Sequence, residues 1–440
     1  MSRILLVEPD FPIPPKSRNH KNFLPIGLLK IAAYLRDHGH QVKLIRGCPK
    51  GPSELKETNG FNPDQVWVTS LFTYWAKYVR ESVQYYRRAF PSAHIRVGGI
   101  YASLLPSEEV KEYTGCDEVY QGVIPEVEEY TKSHLPAYDL LGDANPHPIN
   151  FQIIHASRGC PRKCSFCGTW RIEPEFTYKR SIKEEIYLPG VVFYDNNFLM
   201  NPYVESILEE LIELRKEGRV KWVESESGLD GRVLLEKPHL AKMIKQAGFR
   251  YPRIAWDWGY DQSGYIEKQI RTLVEAGYKS RDIFVFMLYN YQIPFEEMER
   301  KRIKCWEWQV QIADCRFRPL HRLFDEYNPR ATGQTSEDYF ISEGWSDALV
   351  KQFRRNVRRQ NICVRMGYPI YSSTAERKRM KREDLRKLRK LGTVEEKKAF
   401  LEASGADWWI PDRVTYPDGY IRQSEGAAPE RVCGGDVHEI

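Results

Sequence analysis

With 440 residues, 42% of them hydrophobic and 29% charged, the chain is long enough for two or three folded units and too apolar for wholesale disorder. No stretch approaches the ~18 uninterrupted apolar residues of a membrane helix, and the apolar run at 4–7 is too short for a signal peptide, so a soluble, cytoplasmic protein with no membrane partner is expected. The net charge of +6 is uneven: residues 351–390 carry fifteen Lys or Arg against Glu376, Glu383 and Asp384, a local excess of +12 that leaves the rest at −6.

In chain order, the run at 4–7 reads as a buried strand, and a proline-rich loop covers 9–22. Apolar residues at helical spacing predict a helix over 26–37, closed by Gly39, and a second strand follows at 41–45. This strand–helix–strand order implies a parallel sheet with right-handed crossovers. The rhythm continues through a strand at 65–70 ending in Ser70, a helix at 78–90, a strand at 94–97 before Gly98-Gly99, and a strand at 118–121 before Gly122. Residues 1–135 are therefore expected to form an α/β domain with an open, doubly wound parallel sheet of Rossmann type. Pro, Gly and Asn punctuate 136–150, which reads as a linker. Strands are expected again at 151–157, 190–194, 220–224, 253–256, 283–288 and 309–313, with helices between them such as 204–217, 238–247 and 265–276. Six repeats over 151–320 predict a partial (β/α)6 barrel of TIM type, with its chemistry at the C-terminal strand ends. Beyond 320 the strand rhythm stops, and 321–440 reads as a basic, mainly helical region.

Nine cysteines, an odd number in a chain without an export signal, argue against a disulfide framework. Cys160, Cys164 and Cys167 cluster as C-x3-C-x2-C directly after the strand expected at 151–157. Thiolates are the ligands of iron–sulfur clusters and of zinc. Three of them would bind three irons of a 4Fe–4S cube and leave the fourth open; an open metal position suits chemistry, whereas a closed one suits electron transfer. A Cys3His zinc site using His155 is the alternative, although no second paired ligand motif accompanies it. A ferredoxin-type module would place a fourth cysteine nearby, and the next one is Cys305. Cys305, Cys315, Cys363 and Cys433 show no spacing for a second cluster and are expected to be buried thiols.

The C-x3-C-x-aromatic-C run, with Phe166 as the aromatic, resembles the signature of the radical S-adenosylmethionine (SAM) superfamily. That resemblance implies a 4Fe–4S cluster whose open iron chelates SAM and cleaves it reductively to a 5′-deoxyadenosyl radical. It implies further that Asp195, Asn196 and the following Asn197-Phe198 are the acidic loop that meets the methionine end of SAM. Gly228-Leu229-Asp230 with Arg232, and Trp256-Asp257, look like elements of cobalamin-type members, and Glu224, Glu226 and Asp257 are candidate SAM-binding carboxylates on the same ground. Physically, a zwitterionic ligand with a cationic sulfonium calls for carboxylates converging at strand ends. Each acid also stands between a strand and a helix, where an N-cap would stand. The pattern from Pro25 to Val42, with Gly98-Gly99, Leu104-Leu105-Pro106, Gly122 and Glu126, resembles the cobalamin-binding domain that precedes many radical SAM barrels. Ser70, Gly98, Gly99 and Gly122 are the candidate cobalamin contacts. The family's D-x-H-x-x-G is missing, so no lower axial histidine is assigned, and the glycine pair would equally serve a tight turn.

Residues 351–390 interleave their basic residues with Phe353, Tyr368 and Tyr371, a composition that grips phosphates and stacks bases, or else a solvated helix face. Nothing in the barrel stretch points to nucleic acid, so a small molecule or peptide is the expected substrate, with flavodoxin or ferredoxin as electron donor by resemblance. The expected function is hydrogen abstraction that starts radical chemistry, with cobalamin-dependent methylation if the corrin binds. The alternative is a non-catalytic iron–sulfur or nucleic-acid-binding protein that retains the barrel. Methylthio transfer is disfavoured, because a resemblance to that family would require further cluster cysteines in the N-terminal domain, where only Cys48 and Cys116 occur.

Overall fold

The computed structural model describes residues 1–49, 61–142, 149–377, 379–417, 420–421 and 430–431. The chain divides into two compact units, Met1–Ser227 with Gln246–Phe249 and Arg318–Asp325, and Gly228–Lys245 with Arg250–Phe317 and Glu326–Ile440.

The first unit opens with β1 (Arg3–Glu8), β2 (Gln41–Arg46), β3 (Gln65–Ser70), β4 (His94–Gly99) and β5 (Glu118–Val119), all parallel, in the order β2-β1-β3-β4-β5. β1 reads RILLVE and is buried on both faces, as a central strand covered twice must be. Ile4 and Leu6 pack with Leu28, Ala32 and Leu35 of the helix Ile26–Asp37. Leu5 and Val7 join Val66, Val68, Ile95 and Val97 against Val79, Val83 and Tyr86 of the helix Ala76–Ala89. Each such burial is worth roughly 1.5–3 kcal/mol, so the apolar pattern holds β1 at the centre. This is the doubly wound sheet expected over 1–135, and its order reverses between β1 and β3. In open α/β sheets, the crevice outside the carboxyl ends at that reversal is where ligands bind.

The same unit holds β6 (Phe151–Ile154), a short antiparallel ladder of β7 (Ser157–Arg158) with β8 (Thr177–Tyr178), then β9 (Gly190–Phe193) and β10 (Trp222–Ser225). β6, β9 and β10 form a parallel sheet in the order β10-β9-β6. The helix Val204–Lys216 buries Ile207, Leu208, Leu211 and Leu214, an i, i+1, i+4, i+7 stripe.

In the second unit, β11 (Arg253–Ala255), β12 (Phe284–Tyr289) and β13 (Gln311–Arg316) make a parallel sheet in that order. All six strands expected over 151–320 are thus present, but as two three-stranded sheets rather than one of six. At the edge of β10, Val223 bridges Phe249, and its N–H donates to Gly248 O at 3.0 Å.

The basic C-terminal region is helical as expected, with helices Asp347–Met366, Arg382–Lys390 and Val394–Ala403. Its charge is divided between core and surface. Lys351 is buried, pairing with Asp347 at 2.6 Å and donating to Ala331 O at 2.6 Å, whereas Arg382, Arg386, Lys387, Arg389 and Lys390 are exposed. Cys305 and Cys363 are the buried thiols expected, but Cys315, on β13, is exposed; Cys433 lies outside the described residues. Among the described residues, no helix is long and apolar enough to cross a membrane.

Candidate cluster site and sheet edge

The cysteine loop leaves the end of β6 and runs through β7 to Cys160, Cys164 and Cys167, all half-buried. Gly159, one residue before the first cysteine, has φ +73°, and a Cβ there would lie 2.2 Å from Glu175 O. Only glycine turns the chain at that point. The Gly159 N–H donates to Glu173 Oε2 at 2.7 Å, Cys167 N to Cys164 O at 3.1 Å and Trp170 Nε1 to Cys164 O at 3.0 Å, which shape the loop. Arg162 N donates to Cys160 Sγ at 3.4 Å, and Asn197 Nδ2 approaches the same sulfur at 3.8 Å. Donors aimed at a sulfur suit a thiolate ligand. Among the described residues, no group of three or more His, Cys, Asp or Glu is placed to hold a single metal ion. A 4Fe–4S cube differs in seating each thiolate on a separate iron, and this donor set of three half-buried cysteines on one loop fits it. His155, the fourth ligand of the zinc alternative, is buried; burial and nearby Arg158 hold its imidazole neutral, well below the ordinary range.

Asp195 follows β9 and is fully buried. Its carboxylate accepts from Ala156 N at 3.0 Å, Ser157 N at 2.5 Å and Ser157 Oγ at 2.7 Å. Burial outweighs these donors and pushes its carboxyl up to about 6. Asp195 therefore faces the root of the cysteine loop. Asn196 is half-buried beside it, accepts from Thr169 Oγ1 at 3.2 Å and donates to Glu173 Oε2 at 3.3 Å; Phe166, within the loop, is also half-buried.

Glu224 and Glu226, at the end of β10, both ion-pair with Lys21, whose carbonyl accepts from the Tyr194 hydroxyl. The three side chains are mostly buried, at 14% exposure for Lys21, 7% for Glu224 and 17% for Glu226. Lys21 was not among the expected site residues. In the second unit, Asp257 follows β11, and burial pushes its carboxyl up to about 6 against the pull of Lys301. Lys301 is itself buried, donating to Trp256 O and Trp258 O at 2.8 Å each. Asp230 is the N-cap of the helix Gly231–Glu236 and chelates Arg232 at 2.9 and 3.1 Å, which accounts for its G-L-D-x-R setting.

The four expected corrin contacts do meet, at the carboxyl edge of the first sheet. Ser70 Oγ donates to Gly98 O at 2.7 Å and accepts from Ala102 N at 3.1 Å. Gly99 has φ +100°, and a Cβ there would lie 2.3 Å from Ser70 O, so this glycine is demanded by the fold itself. Gly122 N donates to Ser103 Oγ at 2.9 Å, and that hydroxyl donates to Gly99 O at 2.8 Å. Beside them stand aromatic residues that sequence reasoning missed, although the run Phe72-Thr73-Tyr74-Trp75 directly after β3 signals them. Phe72 is 41% exposed and stacks on Tyr74 at 4.9 Å, and Arg318 lies over the Tyr74 ring at 4.6 Å. A side-chain-free backbone at Gly98 and the exposed Phe72 ring that follows β3 fit a broad, flat macrocycle.

Residues 21–129 match the family model of the B12 binding domain. The chain is 22% identical over 276 residues to an uncharacterized methyltransferase of Pyrococcus horikoshii, covering 51% of this chain and 58% of that protein. It is 24% identical over 275 residues to the hopanoid C-3 methylase of Methylococcus capsulatus, covering 52% of each. The matched stretch thus spans little more than half the length of these relatives. Two solved structures of the cobalamin-dependent S-adenosylmethionine radical enzyme OxsB are also similar. The form with aqua-cobalamin has 15% identity, TM-score 0.48 and coverage of 70% of this chain and 52% of that one. The form with aqua-cobalamin and S-adenosylmethionine has 12% identity, TM-score 0.48 and coverage of 83% and 56%. The N-terminal doubly wound sheet is a domain of B12-binding type, and the chain is a distant relative of methyltransferases.

Proposed function

We propose that this chain is a cobalamin-dependent radical SAM enzyme that transfers a methyl group to a small molecule or peptide. The observation that carries the reading is the three-cysteine loop, rooted by a buried carboxylate at the end of a parallel strand and preceded in the chain by a B12-binding-type domain. The partial (β/α)6 barrel expected over 151–320 and a flavodoxin- or ferredoxin-like electron donor belong to the same proposal.

When bound, the cluster and SAM supply reductive cleavage of the sulfonium to a carbon radical, and cobalamin supplies a methyl carrier. The chain's own residues supply the frame. Cys160, Cys164 and Cys167 provide three thiolates, and Phe166 an aromatic face within that loop. Glu224 and Glu226, with Lys21 between them, form a mostly buried anionic wall that suits a ligand carrying an ammonium and a sulfonium, and Asn196 is the further polar group of this unit assigned to that ligand, Asp257 being a candidate by resemblance alone. Ser70 and Gly122 shape the sheet edge, and Gly98 lets the backbone approach the corrin.

The test is anaerobic reconstitution with iron and sulfide, followed by reduction with dithionite in the presence of SAM, with and without cobalamin. The expected result is 5′-deoxyadenosine in both cases and S-adenosylhomocysteine only with cobalamin. Protein that takes up a cluster but forms neither product would favour a non-catalytic iron–sulfur protein.

A further inference from the structure

Asp195, Asn196 and Asn197 leave β9 in sequence and reach the cysteine loop at three places. Resting on the radical SAM reading for the identity of the cluster, we infer that Asp195 and Asn197 are positioning residues of the cysteine loop: Asp195 sets where the loop leaves β6, and Asn197 sets the hydrogen bonding at the Cys160 sulfur. Asp195 has no exposed surface, and its two oxygens take two backbone N–H groups and one hydroxyl, all from Ala156 and Ser157. Hydrogen bonds to an ionised acceptor are roughly twice as strong as neutral ones. Asn201 Nδ2 holds the Ala156 carbonyl at 3.0 Å, and Glu173 holds the Gly159 N–H at 2.7 Å, so the backbone is pinned from 156 to 159, immediately before Cys160. At the sulfur itself, Asn197 Nδ2 lies 3.8 Å and Arg162 N 3.4 Å from Cys160 Sγ. An N–H aimed at a cluster-ligating sulfur stabilises the reduced, more negative state and raises the reduction potential.

The experiment compares anaerobically reconstituted full-length wild type with Asp195→Asn, Ser157→Ala and Asn197→Leu. Asp195→Asn turns an amide N–H against backbone donors, so iron content should fall severalfold and the melting temperature of the apoprotein should drop. Ser157→Ala removes one donor of three and should show a smaller loss of both. Asn197→Leu should keep wild-type iron content while the reduced-to-oxidised ratio at fixed potential falls about tenfold, a shift of about 59 mV for one electron, read by EPR-monitored titration. Wild-type iron and melting temperature in Asp195→Asn, with SAM binding alone weakened, would overturn the inference and give that carboxylate to SAM. An unmoved midpoint in Asn197→Leu would overturn its second half. A wild type that takes up no cluster would overturn the radical SAM reading first and this inference with it.

Discussion

Asp314 lies on β13, and burial pushes its carboxyl up from 3.8 to about 6 against the attraction of Arg354. Between those values the folded state holds a proton that the unfolded chain has released, so this group's contribution to stability falls as pH rises through the window and is level above it. Asp314→Asn removes the titration. The melting temperature of the variant relative to wild type should therefore be higher at about pH 7.5 than at about pH 4.5, by the equivalent of about 1–3 kcal/mol. Thermal melts at both pH values check this, and equal differences would contradict it. Asp195 and Asp257 are shifted in the same direction for the same reason. At this scale the cysteines are legible in sequence, because a loop of metal ligands concentrates one reactive residue type at short spacing. Lys21 is not: it lies in a proline-rich loop, and its partners are 203 and 205 residues away. The buried setting of Asp195 is equally hidden, since a carboxylate after a strand reads the same whether it faces a ligand or its own backbone.

Gly98 and Gly99 are neighbours at the end of β4 with different structural demands. A Cβ on Gly98 meets only Tyr120, at 3.6 and 3.8 Å, which is ordinary contact, whereas one on Gly99 strikes Ser70 O at 2.3 Å with φ at +100°. Gly99→Ala should cost about 1–3 kcal/mol of stability. Gly98→Ala should melt like wild type and lose cobalamin if the backbone approaches the corrin there. Absorbance titration with aqua-cobalamin beside thermal melts separates the two, and unchanged cobalamin affinity in Gly98→Ala would remove this position from the site. The strands themselves were readable because β1 and β3 carry short continuous or alternating apolar patterns between turn signals, too short for a helix. The helix Phe295–Glu307 lies between two strands, where a helix is expected, but its buried face was not legible, because it includes Glu299, Lys301 and Arg302. Arg302 and Glu299 are both 0% exposed and paired at 2.8 Å, and Arg302 also donates to Gln360, Pro411 O and Arg413 O. Hydrophobic periodicity cannot find a face whose polar groups are satisfied by partners far along the chain.

Across the whole chain, doubly wound organisation was legible through residue 135, and the division after Ser227 was not. Nothing in the composition marks the place where 246–249 covers the edge of β10, because a single bridge leaves no periodic trace. The basic region likewise reads as one charged tail, yet Lys351 is core while the cations of Arg382–Lys390 are solvated. The exposed cations fit a solvated face and a phosphate-gripping surface alike, and the buried one fits neither. What the cysteine loop holds decides the chemistry open to this protein. The most direct measurement is iron and sulfide content, with the EPR spectrum of the reduced protein, for the anaerobically reconstituted full chain and for the variant in which Cys160, Cys164 and Cys167 are all changed to Ala. About four irons and four sulfides in the wild type, with neither cluster nor SAM cleavage in the variant, is the predicted result. Tetrahedral zinc in the wild type, or a full 4Fe–4S spectrum surviving in the variant, would contradict it.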